Sequence, residues 1–341
     1  MNRRMAITAV AFAAMMGTPF ALSAQTVEEF YTGKNVELYI GYSVGGGYDI
    51  YARTLARHMG KHIPGNPTVV PVNMDGAGSL RMVNWLYAAA PKDGTVFGTF
   101  ARAAPFDPLF GNQEAQFNAL EFNYVGSANN EVSLCTAMAR TGIETIDDMK
   151  TKELIIGGTG DTADTVQFPK VLNAVFGTQM KIINGYPGGN DVVVAMEREE
   201  LDGRCGWSYS SVISTRGDWL TDGRLNVLLQ MSTAKHPDLP DVPLVMDLVQ
   251  NDADRALLNL VFARQTLGRP FAAPPGVPQD RVDALRDAFM ATMADPEFLA
   301  EAAGLDLEIT PVDGAGIQGL VEDVYASDPA TIARLNGILS N

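Results

Sequence analysis

The chain is poor in the residues that most often carry chemistry. Its 341 residues include 2 cysteines, 3 histidines and 3 tryptophans, and 25 lysines and arginines stand against 40 aspartates and glutamates. With no CxxC pair and no HExxH, a metal centre has no scaffold, and no cofactor motif is complete. The formal charge of -15 repels phosphate backbones and anionic membrane surfaces, which excludes nucleic acid as a partner. An anionic ligand would therefore have to be held by local donors and dipoles. Only one long apolar run occurs, from Met5 to Met16, so no membrane span is expected beyond it. Fixed-period repeats and low-complexity linkers are missing too, which excludes a solenoid and a tethered pair of domains.

What is present begins with a leader. Arg3 and Arg4 precede the apolar run, and Ala21, Ser23 and Ala24 supply small residues for cleavage, so residues 1–24 read as a secretory signal cut near Ser23 or Ala24. The run is too short to span a bilayer, and no cysteine follows it to carry a lipid. Loss of Arg3 and Arg4 takes the charge from -15 to -17. The expectation is an exported, periplasmic monomer that does not insert into the membrane. A hydrophobic content of 46% with 19% charged residues suits a globular chain of one large or two medium domains. Cys135 and Cys205 fit a single disulfide in an oxidising compartment. Two buried free thiols fit equally well, because the sequence does not set the distance between their Cα atoms.

Short apolar runs alternate with helical periodicity. Strands are expected at 36–40, 68–72 and 95–100, with helices at 49–61 and 79–90 between them. From about Phe122 the pattern restarts, with strands at 132–138, 154–157, 181–184, 203–207 and 225–231 and helices between them. The remainder reads as largely helical. The predicted fold is α/β and two-lobed, each lobe a mostly parallel sheet flanked by helices, with residues 25–121 and 233–341 in one lobe and 122–232 in the other. Crossing strands are expected to join the lobes.

Gly41-Tyr42-Ser43-Val44-Gly45 matches G-x-S-x-G between a strand and a helix, the context of a hydrolase nucleophile elbow. It follows the first strand, however, and His58 and His62 come directly after it, leaving no room for the acid that a triad in this order needs. G-x-G-x-x-G fails because Ile50 occupies the last glycine position. The same residues suit an anion cradle, since Gly45-Gly46-Gly47 lets backbone N–H groups face inward at a helix start. Asp49 reads equally well as an N-cap. Glycine turns also precede helices at 75–79, 157–162 and 185–190, and turns of this kind share the carboxyl edge of a sheet.

These turns, with Pro91-Lys92-Asp93-Gly94-Thr95, Leu239-Pro240-Asp241-Val242-Pro243 and Ala273-Pro274-Pro275-Gly276-Val277-Pro278, occur in an order that resembles the solute receptors of tripartite tricarboxylate transporters, the Bug proteins. The resemblance implies a periplasmic Venus-flytrap receptor that hands a small carboxylate to membrane permease subunits. It places the ligand against Ser43, Val44, Gly45, Gly46, Gly47, Tyr48 and Asp49 on one side, and against Thr159, Gly160, Asp161, Thr162, Gly188, Gly189 and Asn190 on the other. This chain departs from the family pattern at Val44, at 161–164 and at Asn190-Asp191. Gly78, Arg102 and Trp207 complete the candidate set. Arg102 would pair with a ligand carboxylate or form an interlobe salt bridge, and Trp207 would line the cleft or pack inside its lobe. Arg204, alternating with Cys205, is expected to face solvent.

Overall fold

Two separate sheets form in the computed structural model, which describes residues 25–340; the expected leader lies outside the described residues. The first sheet takes β1 (Asn35–Ile40), β2 (Thr68–Asn73), β3 (Val96–Thr99), β4 (Asn123–Ser127), β10 (Pro270–Ala273) and β11 (Val312–Asp313), in the order β11-β4-β10-β3-β1-β2. The second takes β5 (Ser133–Met138), β6 (Leu154–Gly157), β7 (Met180–Ile183), β8 (Gly203–Ser208) and β9 (Leu225–Met231), in the order β7-β6-β8-β5-β9. The α/β architecture is as expected, but each sheet is mixed instead of mostly parallel. β1 pairs parallel with β2 and β3, and β6 pairs parallel with β7 and β8. β10 runs antiparallel to β3 and β4, and β5 runs antiparallel to β8 and β9. The strands that break the parallel pattern in the first sheet are short and carry Gly126, Ala272 and Ala273 where β-branched residues would have announced a strand.

Burial explains the first sheet's register. Val36, Leu38 and Ile40 of β1 are buried while their neighbours reach the surface by degrees, and the buried set packs with Leu55, Met59, Phe97 and Phe271. In the second sheet Leu134 and Trp207 pack with Trp219, whose ring meets that of Trp207 edge to face at 6.3 Å. Cys135 and Cys205 stand opposite each other on β5 and β8 and are disulfide-bonded. Both are fully buried, with the sulfurs of Met180 and Met231 at 3.9 and 3.7 Å.

β4 pairs within the first sheet, so the chain crosses after Ser127 and not at Phe122. It returns through 263–269. The two crossing segments run side by side: Glu131 N–H donates to Gln265 O (2.9 Å), and Ala128 N–H donates to Arg269 O (3.1 Å). The C-terminal helix Pro329–Leu339 packs on the helices Asp164–Phe176 and Asp252–Phe262, and Lys170 Nζ donates to Leu339 O at 2.7 Å. Among the described residues no helix is long and apolar enough to cross a membrane.

Candidate functional site

The carboxyl ends of β1, β6, β7 and β8 feed turns into the helices Gly47–Met59, Asp164–Phe176, Gly189–Glu197 and Tyr209–Arg216. First-turn residues of all four meet between the sheets. Gly47, Tyr48, Asp164, Thr165, Gly189 and Ser211 line a cavity of about 40 Å³, closed by Tyr42, Gly46, Ala101, Arg102, Thr159, Arg204, Gly206 and Ser208. That space holds about three water-sized groups. None of the four helices has a side-chain N-cap bond. The start of Tyr209–Arg216 is served from elsewhere, with Tyr209 N–H donating to Val132 O (2.8 Å) and Ser210 N–H to Glu131 Oε1 (3.3 Å). The other three helices bring first-turn N–H groups without a side-chain cap, and their positive dipole ends, from both sheets, an arrangement that favours an anion.

The charged side chains differ in how they are matched. Arg102 Nε lies 3.1 Å from Asp164 Oδ2, and its other nitrogens donate to Gln265 Oε1 (2.6 Å) and to Ser208 Oγ. Of the two roles open to Arg102, the interlobe salt bridge is the one formed. Arg264 reaches the second Asp164 oxygen from behind at 3.5 Å. Arg269 lies over the rings of Tyr48 and Tyr51, donates to Ser210 Oγ (2.9 Å) and Ser211 Oγ (2.8 Å), and stands 3.3 Å from Glu131.

Arg204 departs from the expectation of a solvated side chain. β8 lies between β6 and β5, and the face that carries Arg204 looks into the cleft, so its side chain joins the cleft wall. One nitrogen donates to Gly189 O at 3.1 Å, and the guanidinium sits 5.0 Å from the Trp207 ring. Its Nε is buried without a hydrogen-bond partner. No carboxylate among the described residues forms an ion pair with it. Burial pushes its pKa down to about 9 against a stabilising effect from Tyr42, and the nearby Arg269 and Arg102 add to the fall. It remains a cation at neutral pH. Trp207 itself is fully buried and backs this guanidinium, so packing is its role here.

The other predicted residues divide by position. Gly46, Gly47, Tyr48, Thr159 and Gly189 line the cavity, and Gly45, Asn190 and Trp207 border an adjoining space of about 10 Å³. Ser43, Gly78, Gly160, Thr162 and Gly188 form the seam between the lobes. Gly78 N–H donates to Thr159 O (2.9 Å), Thr162 Oγ1 donates to Gly78 O (3.0 Å), and Ser43 Oγ donates to Asp191 Oδ2 (2.6 Å). A Cβ on Gly160 would stand 2.1 Å from Gly78 N, and one on Gly188 would stand 2.2 Å from Ser43 Oγ. Asp49 points away from the cavity, accepting from Gly45 N–H, Arg53 and Asn73 at 2.8 to 2.9 Å, and so holds the turn together. Val44 is 62% exposed, outside the lining. Asp161 accepts from Asn184 and faces a separate recess beside Asp107. Tyr42, Asp164, Thr165, Ser208 and Ser211 are cavity residues outside the predicted set; Tyr42 follows β1 within the Gly41–Gly45 motif, and the other four stand at helix starts.

Ser43 has an acid beside it but no histidine. His58 bonds Glu301, His62 bonds Asp295 and His236 bonds Glu308, each at 2.7 Å and each away from the cleft.

No family model matches the chain, and no curated protein sequence does. Solved structures do. The periplasmic binding protein BugD is similar at a TM-score of 0.73 with 19% identity, over 90% of this chain and 98% of that one. The fold is that of a two-lobed periplasmic binding protein. MatC from Rhodopseudomonas palustris with bound malate shares this binding-protein fold at 0.68 with 15% identity, over 90% of this chain and 99% of that one. A second R. palustris protein, with adipate, also scores 0.68 at 15% identity, over 89% and 98%.

Proposed function

We propose that this protein is a periplasmic solute receptor of the tripartite tricarboxylate transporter type. It captures a small carboxylate between its lobes and presents it to membrane permease subunits, performing no chemistry itself. The observation that carries this reading is the cavity where three helix starts without side-chain caps, from two sheets, meet a guanidinium that lacks a carboxylate partner among the described residues. Such a lining suits an anion held by dipoles in a protein whose net charge would repel it. The neighbours with malate and adipate support a carboxylate as that anion. The side-by-side segments 128–132 and 263–269 would serve as the hinge about which the lobes close.

Thermal-shift screening of the purified protein against mono-, di- and aromatic carboxylates tests the proposal. A true ligand at one hundred times its dissociation constant adds about 2.7 kcal/mol of stability. If no carboxylate raises the melting temperature, the receptor reading fails. Hydrolysis of ester substrates that disappears in Ser43→Ala would argue instead for an enzyme.

A further inference from the structure

We propose that Arg204 is the charge that anchors the ligand, and that the ligand is a small monocarboxylate. The inference rests on the receptor reading and narrows it. Of the charged side chains lining the cavity, Arg102 is matched by Asp164 at 3.1 Å, whereas no carboxylate among the described residues matches Arg204. Its buried Nε has no partner, and its one hydrogen bond goes to the carbonyl of Gly189. A guanidinium with its Nε buried and no counter-charge is costly, so a fold that keeps one has a use for it when an anion enters. The planar fork of arginine matches the two oxygens of a carboxylate.

Size and surroundings limit the ligand to one such group. The cavity is about 40 Å³, and interlobe hydrogen bonds of 2.6 to 3.0 Å at Ser43, Gly78 and Thr162 hold the two lobes together beside it. A second carboxylate inside would be stripped of water with no cation left to meet it. Towards the rim it would approach Asp191, already occupied by Ser43. The remaining wall is apolar enough for a short tail, with the stacked rings of Tyr42 and Tyr48 (4.8 Å) and the methyl of Ala101.

The test compares acetate, propionate and lactate with succinate, malate and adipate by calorimetry, on the unaltered protein and on Arg204→Gln and Arg204→Lys. The unaltered protein should bind one of the monocarboxylates at least about tenfold more tightly than any of the dicarboxylates. Arg204→Gln should weaken that binding by about ten- to hundredfold, and Arg204→Lys should fall between. Because Arg204→Gln removes an unmatched, partly buried charge, its melting temperature without ligand should equal or exceed that of the parent. If it fails to fold, the preference of the unaltered protein and the partial loss in Arg204→Lys still decide. Unchanged binding in a folded Arg204→Gln overturns the anchor, and preference for a dicarboxylate overturns the single charge. Silence across both panels sinks the receptor reading itself, a separate result.

Discussion

Asp107 is 1% exposed, with Oδ1 accepting from Gln167 Nε2 at 3.2 Å and Oδ2 unpartnered. Burial holds its pKa well above the ordinary value, against a lowering by Arg264. A raised carboxyl pKa means the folded state binds the proton more tightly, so stability is lost as pH climbs from the ordinary value towards the folded one. Asp107→Asn should therefore raise the melting temperature at pH 7, and the gain should vanish below about pH 4, where the carboxyl is protonated in both states. An equal gain at both pH values would contradict this. Gly160 makes a different demand. Its φ of 151° and its contact with Gly78 leave no place for a methyl group, so Gly160→Ala should keep the lobes from meeting. The expected result is ligand affinity lowered more than about tenfold, since 1.4 kcal/mol of lost closure suffices. Unaltered affinity in a calorimeter would count against the seam. At this scale the sequence served well for glycines, whose type announces their backbone, and poorly for arginines. Arg204 was misplaced because strand alternation says which face a side chain takes, not whether that face meets water.

Helices and strands carry their own consequences. The disulfide joins neighbouring strands of the second sheet across a sequence separation of 70 residues. Chain-entropy arguments put its value at about 4 kcal/mol. The double variant Cys135→Ser with Cys205→Ser should unfold at a lower urea concentration and still bind ligand with little change, because both cysteines lie within one sheet and neither lines the cavity. Binding that disappears together with the bond would show that the second lobe's interior shapes the cleft. Most elements were readable from periodicity: the strands β6 and β9 fall where the apolar pattern puts them. β4, β10 and the helix Tyr209–Arg216 were not. The residues of the two strands are small or buried on every side, and a segment buried all round has no alternation to reveal it, while the helix carries too many serines and threonines to show an apolar period.

Across the whole molecule, closure is the property that the seam controls. Ser43–Asp191 and Thr162–Gly78 each contribute about 1 kcal/mol if they behave as ordinary hydrogen bonds. Ser43→Ala combined with Thr162→Ala should then shift the balance towards open lobes and weaken apparent affinity by about thirtyfold. Small-angle scattering of the double variant should show a larger radius of gyration than the parent at the same ligand concentration. Equal radii and equal affinities would mean the lobes are held shut by the ligand alone. From residues alone one obtains a two-lobed α/β chain bearing glycine turns at helix starts, because backbone freedom and apolar period are local properties. Which helix starts share one cavity, which arginine meets an acid and which does not, and which antiparallel strands complete each sheet depend on segments far apart in the chain. Those pairings are chosen by packing and by the cost of leaving charge unmatched, and neither is settled until the lobes are assembled.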